Sequence, residues 1–207
     1  MSFLVVVMTL IVVMHSASAF SNLRAQTRLN KRADWTMKVG LFYSTSTGNT
    51  ENVASIFVEK NSDIGEAVYI DDLTSTDGFD AFIFGAPTWH TDADTERSGT
   101  SWDQWLYDEL PKIDFKDKKI AIFGVGDAVN YPDNFCDAMG ELYDCFSKAG
   151  ATVYGATSTD VIEFSTSKSV RDGKFVGAVF DEDNESDMSA DRVTAWLDQL
   201  KGEGFPL

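Results

Sequence analysis

The chain has 207 residues, and its 33 acidic side chains outnumber its 17 Lys and Arg, which gives a formal net charge of −16 at pH 7. Such a surface repels phosphodiester backbones and anionic lipid headgroups, which argues against nucleic-acid binding and against adsorption to an acidic membrane. The charge favours partner proteins that present basic patches, with association rates that fall as salt is added.

The first 36 residues have the composition of a targeting leader. Residues 3–14 are apolar except for Thr9, a run too short to span a bilayer but suited to the core of a signal peptide. Small residues follow at 16–19, as at a cleavage site, and the segment after them is basic and rich in hydroxyl groups, as in an organelle transit peptide. This order resembles the bipartite plastid leaders of algae with secondary plastids, and the resemblance implies a location in the chloroplast stroma.

We therefore predict a signal peptide over about residues 1–19, a transit peptide over about 20–36 and one domain over 37–207. A plain secretory signal and a spurious upstream extension are the alternatives. The first 36 residues carry four Lys or Arg and one Asp, so the remaining 171 carry 13 basic and 32 acidic residues, a net charge near −19.

The most informative stretch, residues 38–50, has the sequence KVGLFYSTSTGNT. Its apolar beginning predicts a buried parallel strand, and residues 51–60 have the pattern of a helix. A loop at this junction faces free backbone N–H groups and the positive end of a helix dipole, where open α/β sheets bind anions. We predict a phosphate-binding loop formed by Ser44, Thr45, Ser46, Thr47, Gly48, Asn49 and Thr50.

The alternative is an ordinary hydroxyl-rich turn that caps the helix. Two better-known phosphate motifs are excluded. Asn49 stands where a P-loop needs Lys, and a dinucleotide fingerprint needs three glycines where only Gly48 is present.

Further strands are predicted over residues 67–70, 81–85, 119–123 and 152–155, with helices over 102–110, 135–148 and 189–200, the last capped by Ser189. A hairpin is predicted around Asp172 and Gly173. Strands that alternate with helices indicate an α/β fold, with a five-stranded parallel sheet in the order 2-1-3-4-5 between two helical layers. Cys136 and Cys145 are expected to lie on opposite faces of one helix as buried free thiols, and no metal site is predicted.

The loops after the first, third and fourth strands open at the same sheet edge. The second of them presents Trp89 after Pro87 and Thr88, and the third presents Tyr131 four residues beyond Asp127. A phosphate site flanked by two aromatic side chains suits a flat, phosphorylated, uncharged ring system, which flavin mononucleotide (FMN) provides. We expect glycines 124 and 126 to let the backbone approach the edge of that ring.

With these motifs the chain resembles the flavodoxins of the long-chain type. The resemblance covers the chain from residue 38 to the last helix and is carried by LFYSTSTGNTE, GAPTW, DTERSGTSWD, FGVGDAVNYPDNF and GKFVGAVFDEDNESD. It implies a flavodoxin-like three-layer sandwich whose fifth strand is split by an insertion at about 157–179, non-covalent FMN, and one-electron transfer without substrate turnover. His90 and Asp92 depart from the family, which often has Asn and Gly at these positions.

Beyond the phosphate loop, the resemblance implies two loops that contact the flavin ring and one contact to the ribityl chain. The residues concerned are Pro87, Thr88, Trp89, His90 and Thr91; Gly124, Val125, Gly126, Asp127, Tyr131 and Asn134; and Asp183. No catalytic residue is predicted. The resemblance implies a monomeric low-potential carrier that replaces ferredoxin between photosystem I and ferredoxin–NADP reductase. The alternative is an FMN-dependent quinone or flavin reductase of the same fold.

Overall fold

The computed structural model describes residues 39–207. The predicted signal peptide, transit peptide and their cleavage positions lie outside this range. The same holds for the predicted start of the domain at residue 37.

Five strands of the central sheet are β1 (Val39–Tyr43), β2 (Ile64–Tyr69), β3 (Ala81–Pro87), β4 (Lys119–Val125) and β5 (Thr152–Tyr154). They are parallel and lie in the predicted order β2-β1-β3-β4-β5, and a sixth parallel strand of the described residues also pairs with β4. Every residue of β1 and β3 is buried, because helices cover both faces of a doubly wound sheet.

Four helices cover the sheet: α1 (Asn49–Lys60), α2 (Ser101–Asp108), α3 (Asp137–Lys148) and α4 (Ser189–Gly202). Helices α2 and α3 bury aromatic side chains on one face, where the rings of Phe84 and Phe146 stack 4.4 Å apart. Helices α1 and α4 do so on the other face, where the rings of Phe57 and Phe123 lie 5.1 Å apart. The predicted three-layer sandwich is confirmed. Short 3₁₀ turns occur at Ile70–Asp72, Leu110–Lys112, Pro132–Asn134, Thr159–Val161 and Ser186–Met188.

The fifth strand position is split, as the resemblance implied. Strand β5 pairs with the first half of β4, and a later strand, β9 (Ala178–Phe180), pairs in parallel with the second half. The chain between them forms a small antiparallel sheet of β6 (Thr157–Ser158), β7 (Val170–Arg171) and β8 (Lys174–Phe175). The predicted hairpin joins β7 to β8: Asp172 and Gly173 have φ angles of 52° and 77°, as a two-residue type I′ turn requires.

Several predicted boundaries were wrong. Strand β3 continues through Pro87, which is tolerated because β1 already ends opposite Gly85 and no strand on that side needs its N–H. Helix α3 begins at Asp137, two residues after the predicted start at residue 135, because Cys136 adopts a left-handed conformation with φ of 56°. Ser189 does not cap α4: it is the first helical residue, and its hydroxyl donates to Glu182.

Candidate functional site

The loop between β1 and α1 has the features of an anion site. Gly48 adopts φ of +97°, which favours glycine, and its N–H donates to the Thr45 hydroxyl at 3.0 Å. Helix α1 begins at Asn49, so the first-turn N–H groups of the helix lack intrahelical partners. Thr50 is fully buried, and its hydroxyl oxygen has no hydrogen-bond partner among residues 39–207. A buried hydroxyl without a partner is costly, which indicates that a ligand completes it.

The loop after β3 holds Trp89 in a half-exposed position, at 49% exposure. It closes on itself, because the N–H groups of Trp89 and His90 both donate to the carbonyl of Arg97, at 3.2 and 3.1 Å. Asp92 has φ of 63°, in the left-handed region that favours glycine. Its carboxylate accepts a hydrogen bond from the side chain of Asn134 at 3.0 Å, which links this loop to the next one.

The loop after β4 is shaped by Asp127. One carboxylate oxygen accepts the N–H groups of Val129 and Asn130 at 3.1 and 2.8 Å and the side-chain amide of Asn184 at 2.9 Å. Burial alone would raise the pKa of Asp127, but hydrogen bonds from Asn130, Asn184 and Val129 outweigh it and lower that pKa. The carboxylate therefore stabilises the conformation of its own loop. The same loop holds Tyr131 in a half-exposed position, at 55% exposure.

A fourth loop, after β9, joins the other three, and sequence reasoning missed its main residue. Asp181 is buried, and its carboxylate accepts the N–H groups of Ala128 at 2.9 Å and Asp183 at 3.1 Å. Asp183 in turn accepts the side-chain amide of Asn49 at 3.2 Å. The available signal was an acidic residue directly after a buried strand that ends at the same sheet edge.

These loops enclose a cavity of about 380 Å³. Two aromatic side chains and several small polar groups line it, and none of the lining residues within 39–207 carries a cationic side chain. Its lining residues are Thr47, Asn49, Thr50, Pro87, Thr88, Trp89, Thr91, Val125, Gly126, Asp127, Tyr131, Asn134 and Asp183. All of them were predicted site residues, and the structure brings them together at the predicted sheet edge.

Six predicted site residues lie outside this lining: Ser44, Thr45, Ser46, Gly48, His90 and Gly124. Gly124 also has a packing role that does not depend on a ligand. A Cβ there would meet the Cβ atoms of Cys136 and Met139 at 3.0 and 3.1 Å, so this glycine allows close packing against the start of α3. The His90 ring turns back onto its own loop, with Nδ1 2.6 Å from the carbonyl oxygen of Glu96.

The Trp89 loop is fixed by side chains that the sequence did not single out. Asp103, in the first turn of α2, accepts the N–H groups of Ser98 and Gly99, both at 2.9 Å. Lys168, from the inserted segment, donates to the carbonyl of Ala93 at 2.6 Å. The loop is therefore tied to two separate elements of the fold.

Cys136 is fully buried and Cys145 is half-buried, both as free thiols. Burial raises the pKa of each thiol. Within residues 39–207, no group of three or more His, Cys, Asp or Glu side chains is arranged to hold a metal ion. No helix in that part of the chain combines the length and the apolar character that crossing a bilayer requires.

The model of the Flavodoxin family matches residues 41–196. A flavodoxin of Nostoc sp. is 41% identical over 175 residues, which cover 80% of this chain and 96% of that protein. A flavodoxin of Picosynechococcus sp. is 42% identical over 168 residues, covering 79% and 96%. Among solved structures, Fusobacterium nucleatum flavodoxin bound to flavin mononucleotide superposes with a TM-score of 0.69 at 28% identity, over 80% of this chain and 97% of that one. The chain therefore belongs to the flavodoxin family.

Proposed function

We propose that this protein binds FMN non-covalently in the cavity and carries one electron at a time between redox proteins. The observation that carries the proposal is the meeting of an anion-binding loop and two half-exposed aromatic side chains at one cavity. The Fusobacterium relative, solved with flavin mononucleotide, supports the choice of ligand.

The residues present fit this cofactor. The phosphate would be held by residues 44–50, through first-turn N–H groups of α1 and the buried hydroxyl of Thr50, without a cationic side chain. Trp89 and Tyr131 would flank the ring and exclude water from it, with contacts from the neighbouring residues of their two loops. Asp183, which accepts a hydrogen bond from Asn49 of the phosphate loop, would contact the ribityl chain.

FMN supplies the redox chemistry, and the protein supplies binding and electrostatics. A ring held between two aromatic side chains lies in a region of low dielectric, where negative charge is costly. The acidic surface and the nearby carboxylates of Asp127 and Asp183 add to that cost. The site therefore favours a low potential, at which the cofactor gives up electrons readily.

The test is to add FMN to the purified full-length chain, remove the excess and record the visible spectrum during stepwise photoreduction. We expect one FMN per chain and reduction in two separate one-electron stages. Riboflavin, which lacks the phosphate, is the matched control ligand and should bind far more weakly. A colourless protein after exposure to FMN would end the proposal.

We further propose that the protein works as a monomer in the plastid stroma and replaces ferredoxin between photosystem I and ferredoxin–NADP reductase. Three observations support this: the leader composition, the net charge near −19 of residues 37–207, and the cyanobacterial relatives from Nostoc and Picosynechococcus. A fluorescent protein fused to residues 1–36 should enter the plastid of an alga with secondary plastids, whereas a fusion to residues 20–36 alone should not. Secretion of the first fusion would contradict this location.

Membership of the flavodoxin family favours a carrier over the quinone or flavin reductase that the sequence left open. The two differ in one measurable property. A carrier loaded with FMN should oxidise NADPH only when a reductase is added. Steady NADPH oxidation by the purified protein alone would support the reductase.

A further inference from the structure

A buried carboxylate on α3 lies directly behind the Trp89 loop. Glu141 is 5% exposed, and its two carboxylate oxygens accept the N–H groups of Glu96 and Arg97, at 2.8 and 2.9 Å. The hydroxyl of Tyr107, from α2, donates to the same carboxylate. Three donors thus converge on one carboxylate, and hydrogen bonds to carboxylates are stronger than those between neutral groups.

The residues that Glu141 holds are those that hold Trp89. The carbonyl of Arg97 accepts the N–H groups of both Trp89 and His90, at 3.2 and 3.1 Å. Glu96, just before it, has φ of 60°, a left-handed conformation that a residue with a side chain adopts only when its surroundings fix it. A continuous path therefore runs from the Glu141 carboxylate through one peptide segment to the backbone of the aromatic residue.

We propose that Glu141 is a positioning residue that fixes the Trp89 loop before the cofactor binds and thereby sets the affinity for FMN. This inference rests on the proposed function. Its physical basis is preorganisation: a loop that is already ordered loses less conformational entropy when the ligand arrives. Without the carboxylate, the N–H groups of residues 96 and 97 would lose their acceptors. The segment that holds Trp89 would then keep only the anchors that Asp103 and Lys168 supply to other parts of the loop, and it would be less ordered.

The test compares Glu141→Leu and Glu141→Gln with the wild-type chain. Asp144→Asn is the matched control, because it removes one negative charge from the same helix. Asp144 pairs with Arg171 at 2.9 Å and, among residues 39–207, makes no hydrogen bond to the Trp89 loop. Two quantities are measured on the full chain. One is the rate of hydrogen exchange at the amides of residues 96 and 97 without FMN, and the other is the dissociation constant for FMN.

For Glu141→Leu we expect both quantities to rise by about tenfold or more, since the amides lose two charge-assisted hydrogen bonds. Glu141→Gln keeps one acceptor and should show a smaller rise in both. Asp144→Asn should stay within about twofold of the wild type. Urea unfolding of each variant separates these local effects from loss of the fold, and Glu141→Gln decides the question if Glu141→Leu does not fold.

Unchanged exchange at residues 96 and 97 in the Glu141 variants would overturn the proposal. So would fast exchange combined with an FMN affinity equal to that of Asp144→Asn, because the loop would then be anchored without consequence for binding. If the wild-type chain binds no FMN, the proposed function fails, while hydrogen exchange still decides whether Glu141 anchors the loop.

Discussion

The unpartnered hydroxyl of Thr50 leads to a prediction about two quantities: its removal should raise the stability of the protein without FMN and lower the affinity for FMN. Thr50→Val keeps the shape of the side chain and replaces the hydroxyl with a methyl group. In the protein without FMN, that hydroxyl is fully buried and has no partner among residues 39–207, at a cost of about 1–3 kcal/mol. The variant without FMN should therefore be more stable than the wild type by about 1 kcal/mol.

Binding should change in the other direction. If the hydroxyl donates to the FMN phosphate, its removal loses a hydrogen bond to a charged group, worth about 1.5–3 kcal/mol. The dissociation constant should then rise by roughly 10- to 100-fold, as measured by quenching of FMN fluorescence. Thr47→Val is the control for stability, because Thr47 lies on the same loop and lines the cavity but is exposed. Loss of its hydroxyl should leave the urea midpoint unchanged. A Thr50→Val protein that is less stable, or that binds FMN as tightly as the wild type, would refute this reasoning.

Three other predictions follow from the site. Trp89→Ala and Tyr131→Ala should each weaken FMN binding by about 1–3 kcal/mol through lost apolar burial and stacking, and unchanged affinity in both would exclude a ring held between them. Hydrogen bonds hold the pKa of Asp127 below its usual value, so this group contributes stability that is present above about pH 4 and is lost as the pH falls through the lowered pKa. Asp127→Asn should accordingly flatten the acid limb of the urea midpoint plotted against pH, and an unaltered limb would show that the loop does not depend on the carboxylate. Electron transfer to ferredoxin–NADP reductase, the partner that we propose, should slow as salt is raised to about 0.5 M, because the net charge near −19 of residues 37–207 is then screened. A rate independent of salt would argue against docking on basic patches.

Much of the fold was predictable because its signals are local. Short apolar runs that alternate with helical patterns identify a parallel sheet, and the Asp172-Gly173 pair identifies a tight turn. Boundaries were less predictable because they depend on pairing across strands. Pro87 stays in β3 only because β1 has already ended beside it, which the sequence of β3 does not reveal.

The residues of the candidate site likewise fall into those that the sequence could predict and those that it could not. Trp89 and Tyr131 were predictable because each follows a strand whose end lies at one sheet edge. Asp181 and Glu141 were not predictable, because the chain has 33 acidic residues and most acidic residues in proteins lie on the solvated surface. What distinguishes these two is that backbone N–H groups from distant loops point at them, a property of the tertiary structure.

A crystal structure of the chain with FMN tests the central claim most directly. We expect the phosphate in the loop of residues 44–50, with the Thr50 hydroxyl bonded to it, and the ring between the side chains of Trp89 and Tyr131. FMN bound elsewhere, or a phosphate that does not reach the first turn of α1, would contradict the assignment of this cavity as the cofactor site.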